Sequence, residues 1–358
     1  MLDFRFSKEQ FDFRNTFAGM LESEVSASSI RMRWETATGF DDALWQHLVE
    51  MGLTSMLSCE LSGGLDLSPI DFVLLAQECG RVALPEPLVE STLVSSVLLN
   101  DLYKATDSNL CFDWLMRINE GAGLLLTGHR INPYMNFYDR ADAFLLPWND
   151  EVHLVEGRVV DKIKKTSIDP SRRLAELKWQ PTSTSKIVEG ELGGRLWRSC
   201  LNRGAFGIAA QLLGLSESIL EQAVVYSKER QQFGRAIGSN QAVKHLLADC
   251  AIKIEFARAV VYRAAHAVAY APEEADLVVS HAKVITGEAA LLCARNGMQV
   301  FGAMGYTWEC DLQIWIKRVW ALEKTWGDSA FHKSRLREKL MDPSVKMGPG
   351  HTFIGDNP

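Results

Sequence analysis

The strongest constraint on this chain is the helical period that sets in near Gly194 and continues to Asn296. Val243, Leu246, Leu247, Cys250, Ile254, Ala257, Val261 and Ala264 recur at spacings of three and four, and Val278, Ala282, Ile285, Ala289, Leu292 and Asn296 repeat the pattern. Such spacing places one apolar stripe on each helix, and a long helix with one stripe buries it against another. The second half is therefore expected to be a bundle of long antiparallel helices.

Upstream the period changes. Between about Gly121 and Gly190 the apolar residues come in short or alternating runs separated by turn residues: Leu124-Leu125-Leu126, Ala143 to Leu146, Val152 to Val155, Ile163, and Leu174 to Trp179. These predict a small β domain. The N-terminal part carries helix punctuation instead. Ser7 with Gln10 forms a capping-box pattern before Phe11, Phe17, Met20, Leu21 and Val25, and Asp41 caps a short helix ending at Gly52. Ser68 as N-cap, Pro69 as first helical residue and Gly80 beyond the last turn frame a further apolar helix, after which Pro85 and Pro87 break the chain before Leu88 to Leu102. The expected organisation is an N-terminal α-helical domain over 1–120, a β domain over 121–190, a helical bundle over 191–345 and a tail over 346–358.

A chain of 358 residues, 47% hydrophobic and 23% charged, is long enough for several cores without covalent staples. Its net charge of −7 is spread among interspersed acids and bases, which leaves no footprint for nucleic acid or an anionic membrane. No apolar run approaches the ~18 residues that span a bilayer, and Met1-Leu-Asp-Phe-Arg-Phe6 does not read as a secretory leader. The seven cysteines are scattered, odd in number and without a Cys-x-x-Cys pair, so they read as reduced thiols in a cytoplasmic protein. No Glu-x-x-His pair is present to build a di-iron bundle, and His245, His266 and His281 read as core-edge or surface residues rather than metal ligands. The tryptophans between 308 and 326 are explained by core and interface packing.

Two stretches carry chemistry: Tyr226-Ser-Lys-Glu-Arg-Gln-Gln-Phe-Gly-Arg-Ala-Ile-Gly-Ser-Asn-Gln241, and Phe301-Gly-Ala-Met-Gly-Tyr306. Arg230 falls at a helix end three residues before Phe233-Gly234, with Gln241 opening the next helix. A guanidinium fork matches phosphate bidentately, and the glycine lets a ligand approach the backbone. Alone, Arg230 beside Glu229 reads first as a solvated charge pair at a helix end, and it is the full spacing that reverses this. The whole spacing, together with Gly63-Gly64-Leu65 and Glu78-Cys79-Gly80-Arg81 upstream, resembles the acyl-CoA dehydrogenase family.

That resemblance implies a mainly α fold with a central β domain: an N-terminal helical domain, a small β-barrel domain and a C-terminal four-helix bundle. It implies FAD as cofactor, with Arg230, Gln232, Phe233, Gln241, Gln299 and Ala303 on its nucleotide side and the flavin in the neighbouring subunit. Ala303 stands where the family usually has glycine. Two departures follow. Family members carry Thr-Glu-Pro-like and Lys-x-Trp-Ile-(Thr/Ser)-Asn segments around the flavin, whereas Gly128 to Phe137 contains neither. Where the family places its catalytic glutamate, this chain reads Thr325-Trp326-Gly327-Asp328, so Trp326 takes the position. A second branch puts its base on the first bundle helix, and there the chain has Arg203-Gly204-Ala205.

The nearest acids are Glu323 and Asp328. Asp328 lies two residues beyond the usual position and reads either as a displaced base or as a solvated or capping aspartate. With the nucleotide signature kept and the flavin signature and base absent, the resemblance implies one subunit of an α2β2 heterotetramer. A related chain would supply the flavin pocket and glutamate for a bulky steroid side-chain acyl-CoA, with electron-transfer flavoprotein as acceptor. A homotetramer using Asp328, a short-chain homologue and a non-catalytic scaffold are the alternatives.

Overall fold

A computed structural model describes residues 5–344 of the chain. The expected tail over 346–358 and the last position of the expected bundle range lie outside these residues.

The N-terminal part packs helices α1 (Lys8–Glu24), α2 (Ala27–Glu35), α3 (Asp42–Glu50) and α4 (Pro69–Arg81). Their starts lie where the capping residues place them. Gln10 donates its backbone N–H to Ser7 Oγ at 3.2 Å while its side-chain oxygen accepts from Ser7 N at 2.7 Å, and Asp41 Oδ1 accepts from the N–H groups of Ala43 and Leu44 at 3.1 Å each. Gly80 differs from the expectation: it lies inside the last turn of α4, not beyond it. The reason is packing. A Cβ at Gly80 would collide with the carbonyl of Gln211, and one at Gly214 with the carbonyl of Gln77, so two helices cross there backbone to backbone. After the proline break the chain forms a π-helical segment over Glu90–Ser96, then α5 (Val97–Thr106) and α6 (Asn109–Asn119).

The middle of the chain makes two small sheets. One has the order β1 (Leu125–Thr127), β3 (Ala143–Trp148), β4 (Glu151–Glu156), β7 (Lys186–Val188); the other has β2 (Tyr134–Asn136), β6 (Leu174–Lys178), β5 (Asp161–Lys165). β1 runs parallel to β3 and the remaining pairs are antiparallel. The apolar runs mark β1, β3, β4, β5 and β6. The three-residue strands β2 and β7 are too short to show an alternation, and they were not expected.

Five helices complete the fold: α7 (Gly190–Glu229), α8 (Gln241–Tyr270), α9 (Ala275–Phe301), α10 (Leu312–Lys324) and α11 (Ser329–Leu340). The stripe of α8 is buried from Cys250 through Ile254, Ala257, Val261 and Ala264, but Val243, Leu246 and Leu247 are only half-buried, and Ile252 and Phe256 face outward. One expectation is corrected here. Windows in α7 and in the segment Ala275–Tyr306 reach mean hydropathies of 1.2 and 1.4, enough to pass for membrane spans, yet 67% of each is buried inside the protein, which accounts for their apolar composition.

The crossing of α4 and α7 yields a direct test. Gly214→Ala is expected to destabilise the fold by roughly 1–3 kcal/mol, because added volume must displace a backbone carbonyl. Gly19→Ala in α1, where an added Cβ has nothing within 4 Å, is expected to stabilise by about 0.5–1 kcal/mol. Denaturant midpoints of the two variants against the parent protein check both signs.

Candidate functional site

The two signature stretches meet at one end of the bundle. Tyr226 on α7 stacks flat on Phe301 at the end of α9, ring centroids 4.1 Å apart and planes 11° from parallel. Arg230 caps α7 in an extended conformation, and its ion pair with Glu229 is not formed among the described residues. The chain then makes a ribbon of β8 (Gln231–Gln232) and β9 (Arg235–Ala236). Phe233 and Gly234 both take positive φ, 53° and 78°, the two-residue turn whose twist matches a hairpin. Phe233 is 100% exposed at the tip. Arg230, Gln232, Gln241, Gln299 and Ala303 are exposed as well, Gln241 as the first residue of α8 and Ala303 in the 3-10 turn Gly302–Tyr306 that follows Gln299.

The turn between α10 and α11 lies elsewhere, between the β strands and the bundle. Trp326 is 2% exposed and takes φ 57°, followed by Gly327 at 89°. Its indole lies on Gly204, where an added Cβ would overlap the ring, so the alternative base position on α7 is bare backbone facing Trp326. Arg203 beside it pairs with Asp101 at 2.9 Å. His129 flanks the indole with ring centroids 5.4 Å apart, and Trp197 stands beyond it at 5.8 Å. Burial pushes the pKa of His129 down to about 4, so it is neutral.

Both neighbouring acids are occupied. Asp328 is the N-cap of α11: its Oδ1 accepts from Phe331 N at 2.9 Å, and this bond holds the carboxyl below its usual range. Glu323 is buried, accepts from Ser329 N at 3.1 Å and pairs with Lys324 at 2.9 Å. Three residues that the sequence did not single out hold the turn's backbone. Asn132 Oδ1 accepts from Trp326 N at 2.7 Å, His332 Nε2 donates to Trp326 O at 2.8 Å, and Lys283 Nζ donates to Glu323 O and Gly327 O, both at 2.8 Å.

Little space remains beside the indole. A cavity of only about 30 Å³ is bordered by Glu90, Thr127, Asn132, Asn136, Arg172 and Trp326. Arg172 donates to Thr325 Oγ1 and so fastens the same turn. On the far side of His129 a cleft of about 300 Å³ opens between Arg130, Trp197, Arg198, Asp276 and Arg335. A cleft of about 1400 Å³ lies on the β strands between Trp114 and Trp179, away from both signatures. Among the described residues no group of His, Cys, Asp and Glu could hold a metal ion.

Comparison with known proteins fixes the family. Residues 7–121 match the acyl-CoA dehydrogenase N-terminal domain and residues 192–341 its C-terminal domain. The acyl-CoA dehydrogenase IpdE2 of Mycobacterium tuberculosis is 30% identical over 87% of this chain and 91% of its own length. The chain belongs to the acyl-CoA dehydrogenase family. Among solved structures, a chain of the ChsE4-ChsE5 complex from Mycobacterium tuberculosis superposes with a TM-score of 0.84 at 20% identity, covering 96% of this chain and all of its own. A Tcur3481-Tcur3483 steroid acyl-CoA dehydrogenase variant gives 0.81 at 19%, covering 92% and 97%. The expected mainly α fold with a central β domain is thus that of the family. The protein is an oxidoreductase of the class that acts on the CH–CH bond of acyl-CoA, and its cofactor is FAD.

The residues fit that cofactor at one end only. The exposed hairpin presents an arginine fork, a free aromatic face and amide side chains suited to a nucleotide. The turn offers no such surface to a flavin ring, since Trp326 is buried there and only a cavity of about 30 Å³ lies beside it.

His332 gives the turn an acid limit. Burial pushes its pKa from 6.5 down to about 3, so below pH 6.5 the unfolded chain takes up a proton that the folded chain refuses. The stability tied to its neutral form is complete above about pH 6.5 and is lost as the pH falls toward 3. In His332→Gln, which keeps a donor but does not titrate, denaturation midpoints are expected to fall less between pH 7 and pH 4 than in the parent protein.

Proposed function

We propose that this chain is one subunit of a heteromeric acyl-CoA dehydrogenase that desaturates a bulky, steroid-derived acyl-CoA between its α and β carbons. In this reading it contributes the nucleotide side of an FAD whose flavin pocket and catalytic carboxylate belong to a related partner chain in an α2β2 assembly. The observation that carries the reading is the buried Trp326 indole on Gly204.

Desaturation requires a carboxylate to take the α-proton, while FAD, when bound, supplies the acceptor for the β-hydride. An indole N–H only donates and cannot take that proton. Asp328 is engaged as a helix cap with its pKa held low, which makes it a weak base, and Glu323 is buried against Ser329 N and Lys324. The hairpin makes the complementary case. Arg230, Gln232 and Phe233 stand in solvent on a turn with preset geometry, and Gln241, Gln299 and Ala303 border the same end of the bundle. Two neighbours in fold are themselves named as two-component assemblies, ChsE4-ChsE5 and Tcur3481-Tcur3483, the second as a steroid enzyme. Cytoplasmic placement and electron-transfer flavoprotein as acceptor complete the proposal.

Purified with its partner, the assembly is expected to hold one FAD per two chains; a homo-oligomer of this chain with one FAD each and full turnover would overturn the reading. Arg230→Ala is expected to weaken FAD binding to the assembly about 10- to 100-fold, the effect of losing a charge-assisted phosphate contact of roughly 1.5–3 kcal/mol, and Arg230→Lys to recover only part of it. Titration of deflavinated assembly decides this, and equal affinities would leave Arg230 a solvated helix-end charge. Asp328→Ala is expected to cost about 1 kcal/mol of stability as a lost cap while kcat stays within about twofold; a fall in kcat of orders of magnitude would restore Asp328 as the base.

A further inference from the structure

We propose that Lys283, His332 and Asn132 are positioning residues that clamp the backbone of the turn 323–327, so that whatever side chain stands at position 326 is held in one orientation against Gly204. The inference rests on the geometry of the turn and does not depend on which chain supplies the flavin.

The turn needs such a clamp. Two consecutive residues hold positive φ, and the first is a tryptophan, for which the left-handed region costs about 1–2 kcal/mol and persists only where the surroundings over-determine it. The surroundings here are three side chains from three separate elements: Lys283 from α9, His332 from α11 and Asn132 from the loop before β2. Together they satisfy Glu323 O, Trp326 N, Trp326 O and Gly327 O. None of the four bonds touches the indole. The clamp is therefore indifferent to the side chain it presents.

The chemistry of each member suits a fixed scaffold. Lys283 is 2% exposed and faces two carbonyls, and the two N–H groups of a neutral amine match two acceptors. Burial brings its pKa down to about 7, with Glu323 and Asp328 opposing that shift and Lys324 adding to it, so both donors persist on either side of neutrality. His332 must carry its proton on Nε2 to donate to Trp326 O, which leaves Nδ1 to accept from Ser280 Oγ at 3.1 Å; the ring is pinned at both ends. With the backbone fixed, the Trp326 indole and His129 form the partition between the inner cavity of about 30 Å³ and the outer cleft of about 300 Å³.

Removal of the indole should leave a preformed slot of its own shape. In the assembled protein Trp326→Gly, which suits a positive φ, is expected to bind free indole saturably, and Lys283→Met added to it is expected to weaken that binding at least about tenfold while far-UV circular dichroism and assembly are kept. Unchanged indole affinity in the double variant, or no binding to Trp326→Gly, would overturn the proposal. A second measurement avoids any folding defect of Lys283→Met. With 5-fluorotryptophan in all ten tryptophans, the Trp326 resonance, identified by its loss in Trp326→Phe, is expected to move or broaden in Asn132→Ala while the other nine stay in place. An unmoved Trp326 resonance, or changes spread equally over all ten, would show that these contacts are general packing and overturn the clamp.

Discussion

The rest of the structure depends on close approach to the bare backbone of one helix. Along α7, four glycines each receive a different part of the molecule: Gly193 the Asp150 carbonyl of the β strands' loop, Gly204 the Trp326 indole, Gly207 the side chains of Val89 and Leu93, and Gly214 the Gln77 carbonyl of α4. A glycine inside a helix costs about 1 kcal/mol relative to alanine. Here that cost is offset by docking three otherwise separate layers at backbone distance, where side chains would hold them apart. The N-terminal helices, the β strands and the α10–α11 turn consequently share one reference axis, and the distance between β strands and bundle at the candidate site is fixed by the same helix that carries Arg230 at its far end.

That shared axis explains how much of the protein was legible in its sequence. Signals that act within a few residues could be read directly: the Ser7 and Ser68 caps, the proline break, the stripes of α8 and α9, and the Arg230 to Gln241 spacing that opens a helix at Gln241. Contacts between distant elements could not. Trp326 and its partner Asn132 are 194 positions apart, Lys283 and the carbonyls it bonds are 40 and 44 apart, and no local pattern joins them. The misplaced end of α4 has the same origin. A glycine near a helix terminus reads as a stop signal, but Gly80 is there because Gln211 passes over it. That a tryptophan stands at 326, where the family resemblance places a glutamate, could be read from the sequence, whereas its packing against Gly204 and His129 could not.

The candidate site and the hairpin are built on opposite principles. At the turn, backbone groups are bonded to side chains and only a cavity of about 30 Å³ is left beside the indole. At the hairpin, the geometry is just as definite but the surface is bare. A ribbon with two residues per strand has little stability of its own. Its root is held by Arg230 N donating to Tyr226 O at 2.9 Å, Ile237 N to Arg230 O at 2.9 Å, and the Arg235 side chain to Asn240 Oδ1 at 2.6 Å, while Phe233 projects wholly into solvent.

A fully exposed phenylalanine on a fixed turn, with Ile252 at 54% and Phe256 at 70% exposure on the adjoining helix, is an unfavourable surface for a chain in isolation. Fixing the turn in advance removes ordering cost from an association event, because little conformational freedom is left to lose when the surface is covered. At Trp326 the fixed backbone instead holds a buried side chain. In the proposed reading rigidity serves exclusion at one end of the molecule and recognition at the other, and α7 links the two, since it begins against the β strands, passes beneath the indole and ends next to the residue that starts the hairpin.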